Sequence, residues 1–347
     1  MYEYYVSDQL ARLTIVLGIV ISTIIYKKTG RTLGGVIVCG YLALFIGQPA
    51  HIVVTLAMAY FTYQIVHNIL KKRYMLNGRK LFEVEILVGL LFQISWLVLI
   101  KILARDVDVD LTALYGIGFV LPGVIAHDMG RQGPTNTLSS IFLGVLVVSL
   151  IIIPLSAIEQ VLPLKFSYAN TTLYRAQPYQ YTYPLKLLPF GIIASVVIDF
   201  IIYSRLHYRA GGFVTAAYLA LFAFRPLDLL FVVGCSFITF WFVKFVTSRV
   251  VLAFGRTKLG IMILSGVVIA WGLESLITVL TNGRYIPWSG FVVIMPTIVS
   301  LIANDYDRQG PYRTMSAISF SAIGVFLVMQ VFVFVLNFLG LQWLYIT

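Results

Sequence analysis

Charge is what this chain has least of. Only 11% of its 347 residues are Asp, Glu, Lys or Arg, where a soluble domain carries about 25%. Hydrophobic residues make up 60%. Apolar runs of roughly 20 residues, long enough to cross a hydrocarbon core, fill the chain almost end to end and exclude an ordinary soluble domain. Cysteine is nearly absent: Cys39 and Cys235 both lie inside apolar segments, so there is no disulfide framework and no thiolate metal site to assign. Also missing are the phosphate loop GxxxxGK[ST], HExxH, GxSxG and the dinucleotide fingerprint GxGxxG. ATP hydrolysis or peptidase chemistry would have to come from another protein, and no catalytic residue, metal ligand or cofactor is assigned to this chain. The opening "MYEYYVSDQL" lacks the basic region of a cleavable signal peptide, and "YKKTGR" follows the first apolar run instead. That run reads as retained, with its N-terminus outside.

The charge that is present has mainly one sign, with a net of +11. Nucleic-acid binding needs a basic face with stacking aromatics in water. Here the basic residues cluster in short loops between apolar runs, as the positive-inside bias predicts, so lipid rather than nucleic acid is the expected surrounding. An acidic substrate fits either distribution.

The chain repeats itself. At a shift of 177 residues, "GGVIVCGYLALFIGQP" (34–49) aligns with "GGFVTAAYLALFAFRP" (211–226), identical at 8 of 16 positions. The same shift carries Gly78-Arg79 onto Gly255-Arg256, and "IAHDMGRQGP" (125–134) onto "IANDYDRQGP" (302–311). Three landmarks in one register mean duplication. Each copy reads as six apolar segments: roughly 10–26, 33–47, 50–70, 82–103, 112–127 and 136–158, then 187–203, 211–224, 227–246, 259–280, 287–302 and 314–339. The tyrosines and prolines of "LPLKFSYANTTLYRAQPYQYTYPLK" (162–186) suit an irregular segment at a membrane interface, and its "NTT" reads as a chance glycosylation sequon. The expected organisation is a membrane unit over 1–160, an extracytoplasmic linker over 161–186 and a second membrane unit over 187–347. The fold class is an all-α polytopic membrane protein with two parallel repeats, each of about six transmembrane or broken or re-entrant helical segments.

The second and fifth segments of each unit have about 14 to 16 residues, or roughly 21 to 24 Å of helix against a core of about 30 Å. Charge decides whether they cross. If 33–47 re-entered, "KKTGR" (27–31) and "KKRYMLNGRK" (71–80) would face opposite sides; if it crosses, both face the cytoplasm. With every segment crossing, 17 of the 25 basic residues fall in cytoplasmic loops, "RDVDVD" (105–110) falls outside, and both termini are extracytoplasmic. An even number of crossings makes the repeat parallel.

Pro122 and Pro296 interrupt short apolar segments that end in a polar tetrapeptide, "RQGP", at 131–134 and 308–311. Irregular backbone at membrane depth is tolerated only against protein or a wet cavity, so these segments belong inside the bundle. Arg131 and Arg308, with Gln132 and Gln309, either present polar groups to an anion or a cytosolic partner or belong to a tight Gly-Pro turn, at Gly133-Pro134 and Gly310-Pro311, anchored at the headgroups. Arg79, Arg256 and Arg31 stand under the same two readings. Tyr41, Pro49, Tyr218 and Pro226 mark the second segments and their ends, and glycines 34, 35, 40 and 47 allow close helix packing. Asp199 and Glu274 are ionisable residues within apolar segments and candidates for a buried ion pair or a proton relay. Glu83 and Glu85, at a segment end, meet the basic loop before them. His127-Asp128 becomes Asn304-Asp305 in the second copy, so His127 reads as an isolated loop histidine.

"KKTGRTLGGVIVCGYLALFIGQP", then "NGRK", then "GIGFVLPGVIAHDMGRQGPTNT" resembles the poly-γ-glutamate biosynthesis protein family PgsC/CapC across residues 10–155, in the order and spacing of all three motifs. Typical members look like one unit; this chain looks like two fused, the second covering about 187–338 more loosely. The resemblance implies a plasma-membrane subunit of the machine that polymerises glutamate through its γ-carboxyl and delivers the polymer to the surface. It implies partners: a PgsB/CapB-like ATP-dependent amide ligase, which would carry the ATP and divalent metal, a PgsA/CapA-like extracytoplasmic protein, and poly-γ-glutamate itself. Oligomerisation stays open. The second copy departs in having Ala217 for Gly40, Arg225 for Gln48 and three additional residues between Pro296 and its RQGP. Besides an assembly and export subunit, two readings stand: a secondary transporter for a small anion with its site between the repeats, and a membrane-embedded transferase. Paired intramembrane acids would favour the first of these two and a nucleophile-base pair the other, and the sequence offers neither.

Overall fold

The computed structural model describes residues 8–106, 117–161, 181–249, 253–288 and 294–340. "NTT", most of the expected linker and the aspartates of "RDVDVD" beyond Asp106 lie outside these. Every regular element among the described residues is helical, and the chain divides into two compact units, Met1–Phe166 and Ser167–Thr347. Eight helices are long and apolar enough to cross a membrane, and side chains such as Phe142, Leu150, Phe320 and Phe334 point away from the protein. Apolar surface on that scale is stable against lipid, not water. This is a multi-pass membrane protein.

In the first unit, α1 (Asp8–Thr29) is followed by the short α2 (Val38–Ala43) and by α3 (Pro49–Ile65). A π-helical turn, Val66–Leu70, joins α3 to α4 (Lys71–Tyr74). Then come α5 (Gly78–Asp106), α6 (Leu121–Gln132) and α7 (Pro134–Val161). Proline sits at the first position of α3 and of α7, where its missing N–H has no helical partner to lose. In the second unit a 3₁₀ turn (Leu185–Leu187) leads into α8 (Leu188–Leu206), followed by α9 (Thr215–Leu221), α10 (Pro226–Arg249), α11 (Gly255–Leu280), α12 (Ile294–Gln309) and α13 (Pro311–Phe338). The starts Pro49, Gly78 and Pro134 and the end Gln132 each recur 177 positions later. The three additional residues after Pro296 become an added turn, making α12 16 residues against 12 in α6.

The second segment travels one way. Ser22 Oγ of α1 donates to Gly35 O, while Gly40 lies against Ile15 and Gly18, where a Cβ on Gly18 would come within 2.5 Å of the Gly40 backbone. As the chain advances from 35 to 40 it therefore retreats along α1, antiparallel to it. In the second unit Ser195 replaces the first of these glycines and Ala217 the second. There Ser195 Oγ donates to Phe213 O at 2.7 Å and Tyr183 donates to Ala217 O at 2.9 Å. Hydroxyls take over from bare backbone contact.

The shorter helices α6 and α12 lie at the centre of their units. α6 packs against α3, α5 and α7, and α12 against α10, α11 and α13. Pro122 and Pro296 are buried at their N-terminal ends. Gly123 of α6 meets α5 so closely that a Cβ would stand 2.5 Å from Ile86 Cα, a backbone approach of the kind small residues permit between membrane helices.

Candidate functional site

RQGP is not a loop. Arg131 and Gln132 form the last turn of α6, Gly133 is the whole turn at φ +86°, and Pro134 opens α7. Arg308, Gln309, Gly310 (φ +88°) and Pro311 repeat this. A positive φ of this size suits glycine and no other residue comfortably.

The glutamine side chain ties three parts of the unit together. Gln132 Nε2 donates to Thr32 O at 2.6 Å and to Thr137 Oγ1 at 3.1 Å, while its Oε1 accepts from Thr32 N–H at 2.9 Å. Gln309 does the same with Arg209 O (2.6 Å), Thr314 Oγ1 (2.9 Å) and Arg209 N–H (2.8 Å). Each partner again lies 177 positions on. The glutamine thus satisfies the backbone of the loop between the first two segments, which belongs to no helix. Arg131 and Arg308 beside it are exposed, as is Arg31. Asp305 Oδ2 also accepts from Gly211 N–H at 3.1 Å. Tyr218 is buried and Tyr41 half-buried.

At this same end of the first unit, three helices bring together residues that sequence reasoning kept apart. Glu85 of α5, with 0% side-chain exposure, accepts at Oε1 from His67 Nε2 (2.8 Å) and at Oε2 from His127 Nδ1 (2.6 Å). His127 is therefore not an isolated loop histidine. Arg79 Nε pairs with Glu83 at 2.7 Å, one helical turn away. His67 projects from the π-helical turn, and its ring occupies the space beside Gly130 of α6, where a Cβ would lie 2.1 Å from Nε2. π turns widen a helix locally and are frequent at functional sites. Tyr63 and Phe82 flank the two imidazoles at ring-centroid distances of 4.9 and 4.6 Å.

The second unit keeps the scaffold and not the cluster. Lys244, Met262, Asn304 and Asp307 stand where the first unit has His67, Glu85, His127 and Gly130, and α10 runs without a π turn. Lys258 pairs with Asp307 at 2.6 Å.

Asp199 and Glu274 each accept from a neutral donor. Ser321 donates to Asp199, and Trp288 Nε1 donates to Glu274 at 3.2 Å. Towards the other end, Asp228 forms an ion pair with Arg225 (Nε to Oδ2, 2.9 Å) and accepts from Tyr285 OH at 2.6 Å. Burial, and then the hydrogen bond to Asp228, push the Tyr285 phenol above its ordinary value, so it stays a donor. The departure of Arg225 from Gln48 is one half of a paired change, since Asp228 stands where the first unit has His51.

The family model described as capsule biosynthesis CapC matches residues 17–138 and again 194–315. The PGA biosynthesis protein CapC of Bacillus subtilis (strain 168) is 34% identical over 131 residues, covering 38% of this chain and 85% of the relative. The capsule biosynthesis protein CapC of Bacillus anthracis is 30% identical over 131 residues with the same coverage. No solved structure matches. The two family matches begin 177 positions apart, in the register of the helices, and the chain belongs to the capsule biosynthesis CapC family as a tandem duplicate.

Proposed function

We propose that this chain is the integral membrane subunit of a poly-γ-glutamate capsule synthesis and export complex. It docks a cytosolic CapB-like amide ligase, which brings ATP and divalent metal, and works with a CapA-like extracytoplasmic protein to move the polymer outward. The observation that carries this reading is the family match in both units, over residues 17–138 and 194–315. The RQGP ends face the cytoplasm, where Arg131, Arg308, Arg79, Arg256 and Arg31 meet the ligase or the carboxylates of the polymer. Guanidinium suits this task because its planar fork pairs with carboxylate through two hydrogen bonds. The test is purification from native membranes with identification of retained proteins, alongside polymer production in a strain lacking the chain. Retention of an ATP-dependent ligase and loss of polymer on deletion are expected; a chain that retains no ligase and whose deletion leaves polymer unchanged would sink the reading.

A further inference from the structure

The cluster around Glu85 has no part in the clamps that hold the fold, and one unit has dispensed with it. Four positions change together between the repeats: His67, Glu85, His127 and Gly130 against Lys244, Met262, Asn304 and Asp307. The helices that carry them still begin at Pro49 and Gly78 and end at Gln132 in one unit, and at Pro226, Gly255 and Gln309 in the other. The scaffold therefore does not need a carboxylate buried between two imidazoles, and the first unit maintains one, together with a π turn and a glycine that make room for it.

Its chemistry follows from the hydrogen bonds. An ionised carboxylate only accepts, so the ring nitrogens facing Glu85 carry the protons: Nε2 of His67 and Nδ1 of His127. In the neutral rings His67 Nδ1 and His127 Nε2 are then acceptors, and neither has a hydrogen-bond partner among the described residues. The side chains of His67 and His127 are 12% and 23% exposed, so neither ring is sealed within the unit as Glu85 is. With both rings neutral the cluster carries the single negative charge of Glu85 and one further acceptor on each ring. Two acceptors, a buried negative charge and flanking aromatic faces suit a compact cation with N–H donors.

We propose that Glu85, His67 and His127 form a binding site for a primary ammonium group, present in the first unit and lost from the second. That the ammonium belongs to glutamate, as free monomer or as the amine end of a growing chain, rests on the function proposed above; recognition of an ammonium does not.

The purified full-length protein in detergent is titrated calorimetrically with methylammonium, with L- and D-glutamate, with a short γ-glutamyl oligomer bearing a free amine, and with N-acetylglutamate. Beside the wild type stand Glu85→Gln and a transplant carrying His67→Lys, Glu85→Met, His127→Asn and Gly130→Asp, a set of side chains the second unit already accommodates. Expected is saturable binding of methylammonium and of at least one amine-bearing glutamyl ligand. N-acetylglutamate and both variants should be weaker by about 10-fold or more, the loss of one charged hydrogen bond. Binding of the monomer assigns the site to incoming glutamate; binding of the oligomer alone assigns it to the chain end. Equal binding of the acetylated ligand, wild-type affinity in the transplant, or no binding of any amine would overturn the proposal. Ligase retention is scored separately, so a wild type that binds amines but holds no ligase overturns the function above and leaves this site standing.

Discussion

Gln132 and Thr32, 100 residues apart, exchange two hydrogen bonds through one amide side chain, and Gln309 and Arg209 repeat the exchange at the same separation. Each glutamine needs both its oxygen and its nitrogen for this. Gln132→Glu loses the donor and sets a carboxylate against the Thr32 carbonyl; Gln132→Leu loses both groups. Leaving a fully buried backbone group without a partner costs about 1 to 3 kcal/mol, and these part-buried groups sit at the low end of that range. Thermal unfolding in detergent is expected to show either variant less stable than wild type, with Gln309 variants behaving alike. An unchanged unfolding temperature would show that water replaces the clamp without loss.

Because the glutamine rather than the arginine holds the turn, the exposed arginines are free to be tested for contacts with other molecules. Arg131→Lys and Arg308→Lys should leave membrane abundance at the wild-type level. If these side chains hold carboxylates through paired bonds, the charged bonds at stake are about 1.5 to 3 kcal/mol each, and polymer production or ligase retention should fall by roughly 10-fold or more. Wild-type behaviour of both variants would reduce the arginines to headgroup anchors.

Gly123 and Gly234 make a matched pair. A Cβ at Gly123 would press on the backbone of α5, whereas one at Gly234 in α10 meets nothing within 4 Å. Gly123→Ala is expected to destabilise by about 1 to 3 kcal/mol, the usual range for overpacking. Gly234→Ala should be neutral or slightly stabilising, since alanine is the better helix former. Chemical denaturation in mixed micelles measures both.

The Arg225–Asp228 pair should behave as a unit. Asp228→Asn removes the charge facing a half-buried guanidinium and weakens the acceptor for Tyr285. Breaking one partner of a buried pair costs about 3 to 5 kcal/mol, whereas replacing both is often tolerated. The double variant Arg225→Gln, Asp228→His, which installs the side chains of the first unit, is expected to be more stable than Asp228→Asn alone. The opposite order would mean that the pair is not energetically coupled.

Much of the architecture was legible in the sequence because it rests on local signals. Proline at the first position of a helix and glycine at a turn are recognisable wherever they occur, and the constant offset carries the starts at Pro49, Gly78 and Pro134 and the end at Gln132 from one unit to the other. The glutamine clamp was not legible, since the chain gives no sign that a residue at 132 reaches one at 32. The Glu85 cluster was missed for a related reason: its members sit on three helices, 18 and 42 positions from the glutamate. Set against Asn304 alone, His127 looks dispensable. The available signal was joint replacement, with a glutamate exchanged for Met262 and a histidine for Lys244 in the same register.

The 100-residue reach of the clamp also sets an order of events during synthesis. At roughly 5 to 20 residues per second, Gln132 leaves the ribosome about 5 to 20 seconds after Thr32. Until then the turn after α1 has only water to satisfy its backbone. The turn after α1 thus closes only once α6 is complete, and the packing of α7 against α1 and α2 follows it. A ribosome that stalls within α5 would leave a first hairpin already inserted but still unlatched, and the second unit passes through the same interval again.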